Sequence, residues 1–266
     1  MDNIGLILFD IDGVIRDVSN SYNLATKKTV AQYCFWQPNS SDIDVMKHEG
    51  IWNNDWDLSL ELIKRRIKKN NLTIQAPLRK DLIDSFNNYY FGCKPCEDIS
   101  KWSGFIKNEK ILVEKNLFNE LSKNKIRWGF VSGAEPESAK YVLERRLRLS
   151  SPPLIAMHDA PDKPNPEGFI CLANKLNKNG LGQSSPPVAY IGDTIADIKT
   201  VINARKQIPN QKFISIGVIP PHLHSESLKK DRLEYAAKLK QAGADLILNS
   251  ANDLKNIYLN LFKKNF

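Results

Sequence analysis

The stretch Gly5-Leu6-Ile7-Leu8-Phe9-Asp10-Ile11-Asp12-Gly13-Val14-Ile15 opens with a continuous apolar run that ends in Asp and Gly. A continuous run of this length is typical of a strand that is buried on both faces of a sheet. Asp10 and Asp12 are two residues apart, so the period of a strand points their side chains the same way. Gly13 permits a sharp turn directly after them. The stretch therefore predicts a buried strand that ends in a pair of carboxylates.

Short apolar runs alternate with segments of helical period over the C-terminal part of the chain. The apolar runs cover residues 128–132, 154–157, 188–192, 213–217 and 244–248. The helical segments cover residues 114–124, 136–147, 168–178, 196–206 and 229–242. This alternation is typical of a doubly wound, Rossmann-like parallel sheet, which binds ligands at the carboxyl ends of its strands. We therefore expect an α/β fold.

Residues 17–103 interrupt the alternation, because their pattern is helical throughout. Helices are expected at residues 22–35, 58–69 and 78–90. We interpret this segment as a separate helical domain that is inserted after the first strand. The remaining residues, 1–16 and 104–266, then form the α/β core.

Composition disfavours a membrane-spanning protein and a disulfide scaffold, but it does not decide the role of the net positive charge. The 266 residues include 38 Lys and Arg against 30 Asp and Glu, a formal net charge of +8. This excess is compatible with nucleic acid, with an anionic substrate or with a solvated surface. No apolar run reaches the ~18 residues that a membrane span requires. The chain opens without a basic leader, and its four cysteines are too few for a disulfide scaffold, so we expect a cytoplasmic globular protein.

A second group of acidic residues follows the predicted strand at residues 188–192. Asp193 comes directly after that strand, and Asp197 lies four residues later, one helical turn on. A single Asp at such a place is more often a helix cap. Together with Asp10 and Asp12, however, these residues make four carboxylates that converge at one edge of a parallel sheet, where they repel one another and require a cation. Ligands that are all oxygen favour Mg²⁺.

Two further positions predict a phosphate site. Ser132 and Gly133 end the strand at residues 128–132, where a hydroxyl and backbone amides can hold phosphate oxygens. Lys163 stands between Asp162 and Pro164 in a stiff, proline-rich segment before a helix. A fixed ammonium opposite a group of carboxylates would neutralise both a nucleophile and a phosphoryl group.

These motifs together resemble the haloacid dehalogenase superfamily, in particular its phosphoglycolate-phosphatase-like members with a helical cap inserted after the first motif. The resemblance rests on Asp10-Ile11-Asp12-Gly13-Val14-Ile15, on Ser132-Gly133, on the segment that starts at Lys163 and on Gly192-Asp193-Thr194-Ile195-Ala196-Asp197. Their order and spacing agree with the family over nearly the whole chain.

The resemblance implies a mechanism and a role for each matching residue. Asp10 would be the nucleophile that takes the phosphoryl group, and Asp12 would be the general acid and base. Asp10, the backbone carbonyl of Asp12 and Asp193 would bind Mg²⁺, with Asp197 in or near the metal shell. Ser132, Gly133 and Lys163 would hold the phosphoryl oxygens. The partner would be a small phosphorylated metabolite rather than a membrane or a nucleic acid.

The inserted segment contains candidates for substrate specificity. Arg16 lies in the turn that leads into it, and Trp52, Asn53, Asn54 and Trp56 form a polar and aromatic cluster. The same cluster also fits a hydrophobic staple and an N-cap for the helix that starts near residue 58, and the sequence does not decide between these interpretations. The pair Cys93 and Cys96 lacks the further ligands that a zinc site requires.

Three alternatives use the same fold. A phosphomutase has the same catalytic residues and differs in how it shields the phosphorylated Asp from water. Phosphonoacetaldehyde hydrolysis would need a Schiff-base Lys early in the cap, for which Lys27 and Lys28 are the candidates. A non-catalytic module that binds nucleic acid is disfavoured, because inactive relatives of enzymes usually lose catalytic residues.

Overall fold

The computed structural model describes residues 3–48, 52, 54–93, 98–177 and 180–262. The chain divides into two compact units. One is formed by residues 1–17 and 110–266 and the other by residues 18–109. We call them the sheet unit and the helical unit.

Within the described residues, the sheet unit contains a six-stranded parallel sheet. Its strands, in spatial order, are β5 (Leu154–Ile155), β4 (Ile126–Val131), β1 (Gly5–Phe9), β6 (Val188–Gly192), β7 (Phe213–Val218) and β8 (Leu246–Leu248). The chain thus starts in the middle of the sheet and extends it on both sides, which is the doubly wound topology. The predicted α/β, Rossmann-like fold class is confirmed.

Strand β1 lies inside this sheet, between β4 and β6, and all of its residues are buried. It pairs in parallel with β4 on one side and with β6 on the other, so that Phe9 lies beside both Phe130 and Ile191. Ile7, Leu8 and Phe9 are fully excluded from solvent. Because the strands are parallel, the residues that follow them meet at one edge of the sheet.

Helices of the sheet unit pack beside the strands. They are α5 (Asn116–Lys123), α6 (Pro136–Lys140), α7 (Glu167–Leu176), α8 (Ile195–Gln207), α9 (Lys229–Gln241) and α10 (Tyr258–Leu261), together with short 3₁₀ helices at Pro221–Leu223, Glu226–Leu228 and Ala251–Asn256. The helix expected at residues 136–147 is divided, since α6 continues as a π-helical segment, Tyr141–Arg146. A small antiparallel pair, β2 (Arg16–Asp17) and β3 (Lys110–Ile111), lies where the chain leaves the sheet unit and returns to it.

The described part of the helical unit contains four α-helices, α1 (Ser21–Cys34), α2 (Ser40–His48), α3 (Asp55–Lys69) and α4 (Arg79–Phe91), and 3₁₀ helices at Ile99–Lys101 and Phe105–Asn108. Its core is a cluster of apolar residues that includes Val30, Ile43, Leu62 and Leu82. Helix α2 is not among the three helices that the periodicity predicted for this segment.

The return of the chain to the sheet unit lies six residues beyond the boundary expected at residue 103. Glu109 is buried in the helical unit and accepts hydrogen bonds from Ser21 Oγ at 2.6 Å and Tyr90 Oη at 2.9 Å. The amide of Gly104 donates to the carbonyl of Phe91. These contacts hold the intervening residues against the helices. Among the described residues, we find no helix with the length and apolar character needed to cross a membrane.

Candidate active site

Three strands of the sheet end in polar residues at the same edge. Asp10 follows β1, Ser132 follows β4 and Asp193 follows β6. Carboxylate oxygens of Asp10, Asp193 and Asp197 all lie within 4.8 Å of one another. The parallel sheet therefore brings together carboxylates that are far apart in the sequence.

Lys163 lies between two of these carboxylates. Its Nζ atom is 3.0 Å from Asp10 Oδ2 and 2.6 Å from Asp197 Oδ1. Burial alone would lower the pKa of Lys163, but the charges of Asp10 and Asp197 outweigh burial and hold that pKa well above its ordinary value. Lys163 is therefore a positively charged group within the carboxylate cluster.

Both oxygens of Asp197 accept hydrogen bonds from the chain itself. Oδ2 accepts from the hydroxyl of Thr194 at 2.6 Å and from its amide at 3.0 Å. The amide of Asp197 in turn donates to Thr194 Oγ1, so the two residues form a capping box at the start of α8. Oδ1 accepts from Lys163. Asp197 thus combines two functions, since it caps α8 and fixes the ammonium of Lys163.

Asp10 and Asp193 have more negative charge around them than one Lys neutralises. Burial, followed by the charges of Asp197 and Asp12, raises the pKa of Asp10 to about 7, although Lys163 acts in the opposite direction. Burial and the charges of Asp197 and Asp10 raise the pKa of Asp193 well above its ordinary value. A cation would relieve this repulsion, and the oxygen donors suit Mg²⁺. The residues present therefore fit the metal that the sequence predicts.

Gly13 permits Asp193 to reach the loop after β1. Gly13 has a positive φ of 76°, which L side chains rarely adopt. A Cβ atom at this position would lie only 2.0 Å from Asp193 Oδ2. The Gly of the first motif is therefore required both by the turn and by the carboxylate that fills the space beside it.

Asp12 is held by an Arg that is entirely buried. Arg16 Nε donates to Asp12 Oδ1 at 2.7 Å, while the side chain of Asp12 remains 27% exposed. Arg16 belongs to the short strand β2, and its carbonyl accepts from the amide of Gly13. The local turn thus places Arg16, which the sequence proposed as a specificity residue, directly against the predicted general acid and base.

Ser132 and Gly133 line a cleft together with Lys163. Ser132 is buried, and its Oγ accepts a hydrogen bond from the amide of Ala134 at 3.2 Å. A Cβ atom at Gly133 would have no neighbour within 4 Å, so the space above this residue is open. The two residues predicted to bind phosphate thus lie with Lys163 around one open space.

Sequence reasoning missed Tyr190, which lies on β6 and is almost fully buried. Its hydroxyl donates to the carbonyl of Val131 at 2.7 Å and lies 3.3 Å from Asp197 Oδ1. Lys163 Nζ lies 3.4 Å from the hydroxyl oxygen of Tyr190. A hydroxyl inside the otherwise apolar strand that leads to Asp193 is the signal that could have indicated it, because a buried Tyr usually needs a polar partner.

The aromatic candidates of the helical unit contact other parts of that unit. Trp52 and Trp56 pack against its apolar cluster, and Arg65 and Arg79 lie over their rings at 5.9 and 6.0 Å. Asn54 Oδ1 accepts from the amide of Trp56 at 2.9 Å, so its side chain caps α3. Asn53 and Cys96 lie outside the described residues. A role for these residues in specificity, and for the helical unit as a cap, stays a prediction.

Known proteins resemble the chain over most of its length. A curated relative from Phytophthora nicotianae, imidazoleglycerol-phosphate dehydratase, is 30% identical over 245 residues, which are 91% of this chain and 49% of the relative. The chain therefore spans about half the length of that protein.

Solved structures show a similar fold. Phosphatase Tt82 from Thermococcus thioreducens has a TM-score of 0.63 and 22% identity, covering 88% of this chain and 99% of its own. A proposed β-phosphoglucomutase from Thermotoga maritima has a TM-score of 0.63 and 16% identity, covering 98% and 100%. A phosphonoacetaldehyde hydrolase-like protein from Oleispira antarctica has a TM-score of 0.65 and 16% identity, covering 98% and 93%.

A family model matches most of the chain, including the residues at the edge of the sheet. It matches residues 4–205, which include Asp10, Ser132, Lys163, Asp193 and Asp197, and its description is haloacid dehalogenase-like hydrolase. The match extends over more than half of the chain. The chain belongs to the haloacid dehalogenase-like hydrolase family.

Proposed function

We propose that the protein is a Mg²⁺-dependent phosphatase that hydrolyses a small phosphorylated metabolite through an aspartyl phosphate on Asp10. The observation that supports this proposal best is the position of Lys163 between Asp10 and Asp197, beside a third carboxylate, Asp193. A buried ammonium beside a carboxylate nucleophile suits the transfer of a phosphoryl group, because the oxygens of that group have negative charge.

Asp10 is the nucleophile in this proposal. Its Oδ1 accepts from the amide of Ile11 at 2.8 Å, which fixes the carboxylate at the end of β1. An oxygen of Asp10 attacks phosphorus and the bond from phosphorus to the alcohol breaks, with the phosphoryl group transferred to Asp10. Lys163, Ser132 and Gly133 hold the phosphoryl oxygens.

Asp12 moves the protons in both steps. It gives a proton to the leaving alcohol and then takes one from the water that attacks the aspartyl phosphate, which releases inorganic phosphate and restores Asp10. Arg16 holds Oδ1 of Asp12, which leaves the other oxygen for the proton.

The metal would be held by Asp10, Asp193 and the backbone carbonyl of Asp12. Asp197 lies beside them, but both of its oxygens already accept hydrogen bonds from Thr194 and Lys163. When bound, Mg²⁺ would neutralise the carboxylates and withdraw electrons from a phosphoryl oxygen.

The relative from Phytophthora nicotianae narrows the choice of substrates to test. About half of a protein named for imidazoleglycerol phosphate is similar to this chain. Phosphate monoesters whose alcohol has an imidazole ring are therefore the first members of the panel, followed by sugar phosphates and phosphoglycolate.

Release of inorganic phosphate from this panel, with Mg²⁺ and with EDTA, tests the proposal. We expect release that requires Mg²⁺ and is lost in Asp10→Asn. Full activity in EDTA, or in Asp10→Asn, would contradict the mechanism. Conversion of a substrate to a phosphate isomer without release of phosphate would instead support the phosphomutase alternative.

A further inference from the structure

We propose that Tyr190 is a positioning residue that holds the ammonium of Lys163 in the direction needed to bind a phosphoryl oxygen. The proposal rests on the proposed function, because the anion that Lys163 binds is the phosphoryl group of the substrate. Neither the sequence motifs nor the family match gives Tyr190 a role.

The direction of the Tyr190 hydroxyl is set by the end of strand β4. The hydroxyl has one proton, and its shortest contact is the carbonyl of Val131 at 2.7 Å. With the proton in that hydrogen bond, the oxygen presents its lone pairs to Lys163 at 3.4 Å. Val131 directly precedes Ser132, so Tyr190 connects Lys163 to the other predicted phosphate-binding loop.

Lys163 is then surrounded by three acceptors, as many as an ammonium has donors. They are Asp10 Oδ2 at 3.0 Å, Asp197 Oδ1 at 2.6 Å and the oxygen of Tyr190 at 3.4 Å. Asp197 and Tyr190 do not react in the proposed mechanism. When the phosphoryl group is on Asp10, these two residues hold Lys163 in place while its third N–H, directed at Asp10, meets a phosphoryl oxygen.

The aromatic ring of Tyr190 has a separate, structural function. It packs against Phe169 with ring centroids 5.3 Å apart, inside the core of the sheet unit. Tyr190→Phe keeps this ring and removes only the oxygen. A purely structural hydroxyl, which satisfies the Val131 carbonyl and nothing else, would affect stability and would act independently of Lys163.

Binding of inorganic phosphate to the full chain, measured by calorimetry with Mg²⁺ present, separates these interpretations. We expect Tyr190→Phe to raise the Kd for phosphate about three- to tenfold, the effect of losing one hydrogen bond of ordinary strength. The matched control is Tyr258→Phe, which removes a buried hydroxyl that accepts from Asn124 at 3.1 Å, far from these residues in the sequence and outside the site. We expect this control to change the Kd less than about 1.5-fold.

A double-mutant cycle completes the test. If Tyr190 acts through Lys163, Tyr190→Phe will have little further effect in a Lys163→Met background. An unchanged Kd in Tyr190→Phe, or the same factor in both backgrounds, would overturn the role of Tyr190. A wild-type protein that binds phosphate but releases none from esters would contradict the proposed function and leave this test intact, whereas a wild-type protein that binds no phosphate would contradict both proposals.

Discussion

Lys163 Nζ lies 3.0 Å from Asp10 Oδ2, so a buried cation directly contacts the predicted nucleophile. The same ammonium contacts Asp197 at 2.6 Å. One Lys nevertheless does not balance the local charge, because the pKa of Asp10 is still raised, to about 7, by burial and by the neighbouring carboxylates. The pair is therefore incomplete without a further cation.

The metal-free protein should become less stable as pH rises. Burial raises the pKa of Asp10 to about 7 in the folded state, against an ordinary value of 3.8. Between these values the folded state binds a proton that the unfolded chain has lost, so this group reduces the free energy of unfolding as pH rises. We expect the melting temperature in EDTA to fall from about pH 4 to about pH 7 and Asp10→Asn to make that fall smaller.

The exposed Asp84 on α4 provides the control, and Asp84→Asn should leave the slope unchanged. Mg²⁺ should raise the melting temperature of the wild type more at the higher pH, because protons then compete less for the carboxylates. Equal slopes for the wild type and Asp10→Asn would contradict the assignment of this effect to Asp10.

Gly13→Ala tests the space that Asp193 fills. The added Cβ would lie 2.0 Å from Asp193 Oδ2, so the carboxylate must move. A displacement of about 1 Å at a reacting centre can cost about 100-fold in rate, and we expect at least that loss in kcat/KM together with weaker Mg²⁺ binding.

Gly180→Ala is the matched control for the backbone. Gly180 has nearly the same φ, 73°, but the nearest atom to its Cβ would be 3.6 Å away, at Asn174. Both variants have the same backbone strain, and only Gly13→Ala meets a carboxylate. Similar activity in the two variants would show that the contact with Asp193 is unimportant.

Arg16→Met tests whether catalysis requires Arg16 to hold Asp12 in a fixed orientation, since the variant keeps Asp12 itself. The variant keeps the unbranched side chain and removes the hydrogen bond at 2.7 Å. We expect kcat to fall about tenfold or more with a smaller change in KM, since general acid–base catalysis depends on geometry. We also expect a loss of about 1–3 kcal/mol in the free energy of unfolding, because a buried pair loses one partner.

Arg79→Met is the exposed counterpart. Arg79 Nε also lies 2.7 Å from a carboxylate, Asp57, but the two side chains are 51% and 41% exposed. Its loss should change the free energy of unfolding by no more than about 1 kcal/mol and should leave kcat unchanged. If Arg16→Met and Arg79→Met behaved alike, burial of Arg16 would have no functional meaning.

Asn54→Ala addresses the two interpretations of the aromatic cluster. Because Asn54 caps α3, we expect the free energy of unfolding to fall by about 1 kcal/mol, and Asn54→Asp should restore it. Chemical denaturation gives the stability, and relative rates across the ester panel give the specificity. A changed substrate preference in a variant of unchanged stability would show that Asn54 contacts substrate.

The main features of the fold and of the site could be predicted from the apolar strands and from the polar residues that follow them in the sequence. A continuous apolar run predicted β1, and its two carboxylates were placed at the correct edge because parallel strands all end there. Asp193 and Ser132 follow their strands in the same way, so the parallel topology alone was enough to predict that they lie near Asp10.

Other features depend on contacts that periodicity does not contain. Tyr190 lies within an apolar strand, and only the packed structure shows that its hydroxyl reaches Lys163. The burial of Arg16 was not predictable either, since a charged residue in a turn is usually solvated. Asn54 fitted two interpretations because capping and substrate recognition both favour a short polar side chain.

The covalent state of Asp10 during turnover decides whether the reaction passes through an aspartyl phosphate. The wild type is mixed with a substrate from the panel, quenched in acid within the first turnover, digested and analysed by mass spectrometry. We predict one phosphoryl group on the peptide that contains Asp10, and none in Asp10→Asn, which should also release no phosphate. Turnover without a phosphoryl group on Asp10, or phosphate release that persists in Asp10→Asn, would contradict the account.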